Sequence, residues 1–354
     1  MEHYEVSPLS LPKSSPNNIK KNLQEDVQFD PKKHLDLTMP MYIKTLDGEN
    51  VPFPLKNAAK HNVAFSAPFK VLSAEGVKAF RQVISQNEDL AQPFKNRQKK
   101  AIRGIAYRSK FFCDFTYSPI VLKHLSKCTG KALAPHNFPM NISQINFGEI
   151  GSDKGADVWH IDSVPYVLVI LLSDSTGMVG GQLQVSKAKF GDPKLALEYI
   201  RRDGKLPEDM VNTVNYPAAG YGIFMQGSRI AHAVTPVLKA SEPRLTLVNS
   251  YQSLKPFEED ATLYKVFQTM DGDAAPFEYA RHKAWRASGQ LDYLMKEAKY
   301  FGKTEKIASV LNKAIDELVY ARDLITGKIE EDAPYKDTDN EDNTRDIKLV
   351  NSKL

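Results

Sequence analysis

Val158-Trp159-His160-Ile161-Asp162 sets a histidine and a carboxylate two positions apart, immediately before the apolar run Val164–Leu172. Residues two apart in an extended strand point to the same side. An imidazole nitrogen and a carboxylate oxygen can therefore reach one metal ion from that face. A second histidine, His232, lies 70 positions beyond Asp162, in Arg229-Ile230-Ala231-His232-Ala233-Val234-Thr235-Pro236-Val237. The chain has eight histidines, and a His-x-Asp triplet arises often by chance. On the triplet alone the plainer reading is preferred: a satisfied strand-end histidine, with Asp162 capping a turn.

Three further features shift that balance. Twelve positions after His232 stands Arg244, which opens Arg244-Leu245-Thr246-Leu247-Val248-Asn249-Ser250-Tyr251, a period-2 strand pattern. An arginine turned into a barrel interior is costly unless it meets an anion, and its planar fork suits a carboxylate. Thr246 shares the face of Arg244 and can add a hydroxyl. Between the histidine motifs, Gly180-Gly181-Gln182-Leu183-Gln184-Val185 and Gly220-Tyr221-Gly222-Ile223-Phe224-Met225 read as strands opened by glycine.

With these residues in place, the chain resembles the Fe(II)/2-oxoglutarate-dependent dioxygenase superfamily. The resemblance rests on His160-x-Asp162, the Gly-Gly-x-Leu strand, His232-x-Val-x-Pro-Val237 and Arg244-x-Thr246, and covers roughly residues 140–255. Ser173-Asp-Ser-Thr-Gly-Met-Val-Gly-Gly181 is also similar to dioxygenases of fungal secondary metabolism. The resemblance implies an α+β protein with a double-stranded β-helix core, a jelly roll of the cupin type, flanked by helices. It implies that His160, Asp162 and His232 hold Fe(II), and that Arg244, with Thr246, holds the distal carboxylate of the cosubstrate 2-oxoglutarate. O2 is then reduced with release of succinate and CO2, and a C–H bond of a small molecule, an amino acid or a biosynthetic intermediate, is oxidised. Halogenases of the family lack the carboxylate that Asp162 supplies, so halogenation is not expected.

Composition agrees with a globular chain: 42% of the 354 residues are hydrophobic, and the net charge is only +4 on 47 basic and 43 acidic side chains. Neither nucleic acid nor a membrane is required as a partner. Two cysteines, Cys113 and Cys128, read as thiols of a reducing compartment. The start lacks a basic segment followed by an apolar one, and the longest apolar run is too short for a bilayer. A cytoplasmic protein is expected.

Along the chain, residues 1–34 read as an extended arm, residues 35–328 as one dioxygenase domain, and residues 329–354 as a mobile acidic tail. Ser73 caps a helix whose apolar stripe is Val77, Phe80, Val83 and Ile84. Ser118-Pro119 opens another, which Gly130 closes; it carries His124, structural or exposed. Phe111, Phe112, Phe115 and Tyr117 read as core. Lys95–Lys100 with Arg103, the most basic stretch, reads as a solvated loop. The core is expected to begin with a strand over Asn141–Phe147, on which Gln144 and Asn146 either line the pocket or face solvent. Tyr166–Leu172 is a buried strand, and the Tyr166 hydroxyl reaches either the cosubstrate or a backbone carbonyl. Residues 186–219 form an insertion with a helix over Pro193–Arg202.

Helical spacing then covers Asp260–Met270, Pro276–Ser288, Gln290–Tyr300 and Thr304–Thr326. These C-terminal helices, residues 256–328, cover the barrel or build a homodimer interface. Three other functions compete: an Fe(II) oxidase of the same fold that does not use 2-oxoglutarate, an oxidative nucleic-acid demethylase, and a non-catalytic cupin-like binding protein or scaffold. Demethylases carry a second arginine six positions after the first, where this chain has Ser250.

Overall fold

Eight antiparallel strands divide between two sheets: β1 Gln144–Gly148, β2 Asp157–His160, β3 Tyr166–Leu171, β4 Leu183–Ser186, β5 Val211–Val214, β6 Tyr221–Met225, β7 His232–Val234 and β8 Arg244–Ser253. The larger sheet contains the order β6-β3-β8-β1, and the smaller sheet is β5-β4-β7-β2. The chain thus crosses from one sheet to the other at every connection except β4–β5, whose strands pair with each other, the topology of a double-stranded β-helix. The computed structural model describes residues 1, 3–19, 27–53, 62–94, 98–152, 156–187, 193–297 and 303–331. Among these, the larger sheet extends beyond β1 through Gln98–Ile102 and Ala91–Phe94, and beyond β6 through Val63–Ser66, Tyr42–Thr45 and Asn50–Pro52.

The larger sheet has two distinct faces, which explains the sequence of its strands. Along β8, Leu245, Leu247, Asn249 and Tyr251 point one way, and Arg244, Thr246, Val248, Ser250 and Gln252 the other. The first set joins Tyr166, Leu168 and Ile170 of β3 and Ile145 of β1 in a core shared with the helices Ala74–Ser85, Lys110–Thr116 and Pro119–Thr129. The second set faces the interior between the sheets, where Val167, Val169 and Leu171 lie beside it. Burial on both faces makes Tyr166–Leu171 a continuous apolar run.

Phe80 anchors the helical side. Its ring meets Phe111, Phe112 and Phe115 edge-on, with centroids 4.8, 5.1 and 4.9 Å away, the geometry that the ring quadrupoles favour. The helix that presents it begins as expected, with Ser73 Oγ accepting the Gly76 amide at 3.0 Å. His124 is buried against Phe69, 5.5 Å between rings.

Several expectations are corrected. The chain over Pro139–Asn141 is a 3-10 turn, and the strand starts only at Gln144. Ser143 breaks the extension with a left-handed φ of 58°, held by a hydrogen bond of 2.9 Å between its hydroxyl and that of Thr116. Of the basic stretch, Lys95, Asn96 and Arg97 lie outside the described residues. Gln98–Ile102 is a strand rather than a loop, and Arg103, just past its end, is buried where it donates to Asn141 and Gln144.

By its own contacts the chain forms two compact units, Pro8–Leu254 and Met1–Ser7 with Lys255–Leu354. In the second, the helix break expected at Gly289 does not occur: Ala275–Lys296 is one helix. Glycine is needed there because a Cβ would strike Pro256 and Val6, so packing overrides propensity. An ion network is buried beside it. Asp260 accepts from His282 Nε2 at 3.1 Å and pairs with Lys283 at 2.8 Å, while Glu317 pairs with Lys283 and Arg286 at 2.7 Å each. Burial alone would raise the Asp260 carboxyl, but the neighbouring His282, Lys283 and Arg286 hold it well below its usual range. The helix Thr304–Ile325 leaves Leu311, Ile315, Leu318 and Val319 exposed. Of the expected tail, residues 332–354 lie outside the described residues. Among the described residues, no helix is long and apolar enough to cross a membrane.

Truncating Phe80→Ala is expected to destabilise the larger unit by about 3–5 kcal/mol in urea unfolding, the usual cost of emptying an aromatic site. Lys100→Ala, at an exposed pair with Glu88, should cost under ~1 kcal/mol.

Candidate metal centre

The ladder between β7 and β2 sets His232 directly opposite His160. Side chains of directly opposed residues stand on the same face, and the two rings lie 4.2 Å apart. Asp162 follows His160 by two residues, just beyond the end of β2. Its backbone N–H donates to the Gly227 carbonyl at 3.0 Å, which folds the carboxylate back between the histidines. Asp162 Oδ1 is then 3.4 Å from His160 Nε2, and Oδ2 is 3.5 Å from His232 Nε2. Ligand atoms of all three residues lie within 4.8 Å of one another.

Each ring is oriented from behind. His160 Nδ1 faces the Val158 carbonyl at 2.6 Å, and His232 Nδ1 faces that of Ile230 at 3.1 Å. A carbonyl can only accept, so each Nδ1 that bonds its carbonyl carries a proton, and Nε2 is the ring atom turned toward Asp162. Metal-bound histidines are held in this way. Three neighbouring ligands on bonds of ~2.1 Å stand roughly 3 Å apart, close to the spacing present. Burial, and next the neighbouring His160, push the His232 imidazole down to about 4. It is therefore neutral, and able to ligate, across the physiological range.

Arg244 is buried, 4% exposed, at the first position of β8. Its Nε donates to the Gly181 carbonyl at 2.9 Å, and Nη1 to Thr246 Oγ1 at 3.4 Å. Nη2 has no hydrogen-bond partner among the described residues. The Tyr216 ring lies 5.8 Å from the guanidinium carbon. Burial lowers the Arg244 pKa from its ordinary value, against the opposing influence of Tyr216 and Asp157. A desolvated guanidinium with one open edge fits an incoming carboxylate.

The other residues singled out in the sequence divide. Thr246 lies beside Arg244, and Asn146 is its cross-strand neighbour. Gln144 pairs with Val248 on the same interior face, donating from Nε2 to Asn146 Oδ1 at 2.7 Å. Both are half-buried rather than facing solvent on an open edge. Tyr166 is corrected: it points to the opposite face of β3 and stacks on Phe224, 5.7 Å between centroids, in the helix-covered core. The strand alternation separates it from Arg244 and Thr246.

Two contributors have no signal in the motifs. Gly227 approaches Asp162 so closely that a Cβ there would overlap its carboxylate. Tyr216, in the insertion, covers Arg244 while its hydroxyl donates to the Val169 carbonyl at 3.3 Å. Gly227 has no periodicity to announce it, and Tyr216 lies 28 positions before Arg244 in a stretch without pattern.

Gly227→Ala should weaken divalent metal binding about 10–100-fold by displacing Asp162, measured by calorimetric titration, while the far-ultraviolet circular dichroism is unchanged. The metal-free chain should also lose stability as pH falls from about 6.5 to about 4. Over that window the unfolded state protonates residue 232 and the folded state does not, so protons favour unfolding. In His232→Asn that loss should be smaller in urea titrations across the window.

No protein-family profile matches the chain, and no curated protein matches it in sequence. Among solved structures, the chain is similar to EctD from S. alaskensis with 2-oxoglutarate and 5-hydroxyectoine, at 16% identity and a TM-score of 0.43, over 65% of this chain and 88% of that one. It is similar to HygX from Streptomyces hygroscopicus with nickel and 2-oxoglutarate bound, at 15% identity and a TM-score of 0.41, over 54% and 83%. It is also similar to the non-heme alpha-ketoglutarate-dependent carbocyclase SnoK from nogalamycin biosynthesis, at 13% identity and a TM-score of 0.41, over 59% and 86%.

Proposed function

We propose that this chain is a non-heme Fe(II)/2-oxoglutarate-dependent oxygenase that oxidises a C–H bond of a small molecule. One observation carries the reading: a His-Asp-His cluster, its two histidines buried, shares the interior of a double-stranded β-helix with a buried arginine that has an open edge. Two histidines and one carboxylate on one side, with positions left open, are the ligand set of such iron centres. EctD and HygX, whose structures carry 2-oxoglutarate, are consistent with it.

In this reading His160, Asp162 and His232 hold the iron. Iron held there would supply the oxidising chemistry, with 2-oxoglutarate and O2 as cosubstrates and succinate and CO2 as coproducts. The chain's own residues supply position and exclusion. The carbonyls of Val158 and Ile230 hold the Nδ1 protons, so both Nε2 atoms stay available for ligation. The Arg244 fork takes the distal carboxylate of 2-oxoglutarate, and the Thr246 hydroxyl adds a donor beside it. Val167, Val169 and Leu171 line the interior with apolar surface that excludes water and protects reactive species.

The rivals fare unequally. The open Nη2 edge of Arg244 favours 2-oxoglutarate over an oxidase that does without it. For nucleic acid, Lys100 is engaged by Glu88 and by the Phe147 ring, 4.4 Å away, and Ser250 is bonded to Asn141. That leaves the described part of the basic stretch poorly placed to clamp a phosphate backbone. A homodimer through the C-terminal helices is supported by the exposed stripe Leu311, Ile315, Leu318 and Val319, which light scattering on the purified chain would test.

Anaerobic Fe(II) titration with and without 2-oxoglutarate is the deciding experiment. The expected outcome is a weak visible charge-transfer band that needs both and disappears in Arg244→Ala at the same 2-oxoglutarate concentration. Fe(II) binding without the band points to the oxidase, and no metal binding overturns the assignment of His160, Asp162 and His232.

A further inference from the structure

The interior face of β8 runs from Arg244, opposite Gly148, to Gln252, opposite Ala134. The loop carrying Asp162 leads into the start of β3, where Tyr166 pairs with Tyr251. β6 ends at Met225, just before the turn through Gly227 to His232. Gln252 therefore stands at the end of the interior where the candidate iron ligands gather, and Arg244 stands at the other.

The polar side chains beside it are engaged with one another. Asn141 Nδ2 donates to Ser250 Oγ at 2.9 Å, and Arg103 Nη1 donates to Asn141 Oδ1 and Gln144 Oε1 at 2.6 Å each. Gln252 differs. It is 3% exposed, and neither its amide nitrogen nor its amide oxygen has a hydrogen-bond partner among the described residues. A buried amide unsatisfied at both atoms is costly and calls for a ligand that completes it.

We propose that Gln252 reads the substrate, and that the substrate carries an amide-type edge: a carboxamide, lactam or ureido group presenting an N–H beside a C=O. Gln252 Oε1 accepts the N–H and Nε2 donates to the C=O, closing a two-bond ring. The neighbouring Ser250–Asn141–Arg103–Gln144 network holds the surrounding wall in one arrangement. Sites that hydrogen-bond a substrate discriminate strongly against analogues lacking the group. The inference rests on the oxygenase reading, which makes this end of the interior the substrate's side.

Saturation-transfer NMR with propionamide, methyl propionate and acetamidinium tests it, on the chain as isolated and again with anaerobic Fe(II) and 2-oxoglutarate. The wild type should bind propionamide and not the ester. Gln252→Leu should weaken propionamide at least about tenfold while keeping or raising the melting temperature, since it removes two unsatisfied atoms. Gln252→Glu offers two acceptors and should reverse the order, preferring acetamidinium. Equal binding of amide and ester, unchanged propionamide binding in both variants, or no binding under either condition overturns the proposal. If Gln252→Leu fails to fold, the isosteric Gln252→Glu decides alone. A charge-transfer band without amide binding sinks only this inference; amide binding without the band sinks only the oxygenase reading.

Discussion

The pairing of His232 with His160 across the β7–β2 ladder is the constraint on which the site depends. A direct cross-strand pair fixes both the separation and the shared face of two side chains, with no freedom left except ring rotation. The carbonyls of Val158 and Ile230, each two residues before its histidine, remove that freedom as well. The backbone thus aims both Nε2 atoms toward one point, and Asp162 needs only the hydrogen bond to Gly227 to join them. Such preorganisation lowers the cost of ligation, because the ordering of the side chains has been met by folding.

The same winding that brings the histidines together keeps the two ends of the interior chemically different. At one end a desolvated arginine is covered by Tyr216 and anchored on Gly181. At the other, side-chain hydrogen bonds connect Ser250, Asn141, Arg103, Gln144 and Asn146, with the His160–Asp162–His232 cluster alongside. In the proposed reading, an anionic cosubstrate and a polar substrate would approach one metal from different directions without competing for the same groups. The outer face of the larger sheet has no part in this. It is filled by phenylalanines from the covering helices, and Tyr166 belongs to that packing.

Much of this was legible in the order of residues, and the reason is local. Strand alternation relates residues two apart, so Arg244 and Thr246 could be placed on a common face from spacing alone, whereas Asp162 lies beyond the end of β2 and reaches His160 through the turn held on Gly227. Turn and cap chemistry is equally local, which is why Ser73, Pro119 and Gly130 mark helix ends where the structure has them. The long apolar run marked Tyr166–Leu172 as buried, and the strand ends at Leu171. Alternation does not say which face of a strand looks inward when both are buried, and Tyr166 was open for that reason. Helix propensity misplaced Gly289, since its neighbours Pro256 and Val6 are remote in sequence.

The sequence by itself determined which residue types could bind iron and a carboxylate, and that the strands carrying them alternate. Tertiary structure alone decided that His232 stands opposite His160, and that Gly227 makes room for Asp162. It also decided that Tyr216 closes over Arg244 and that Arg103 is buried rather than solvated. The physical reason is the range of the forces. Side-chain periodicity and capping act over a few residues and leave a trace in the local order. Ladder register, close approach and desolvation join residues tens of positions apart and exist only once the two sheets face each other.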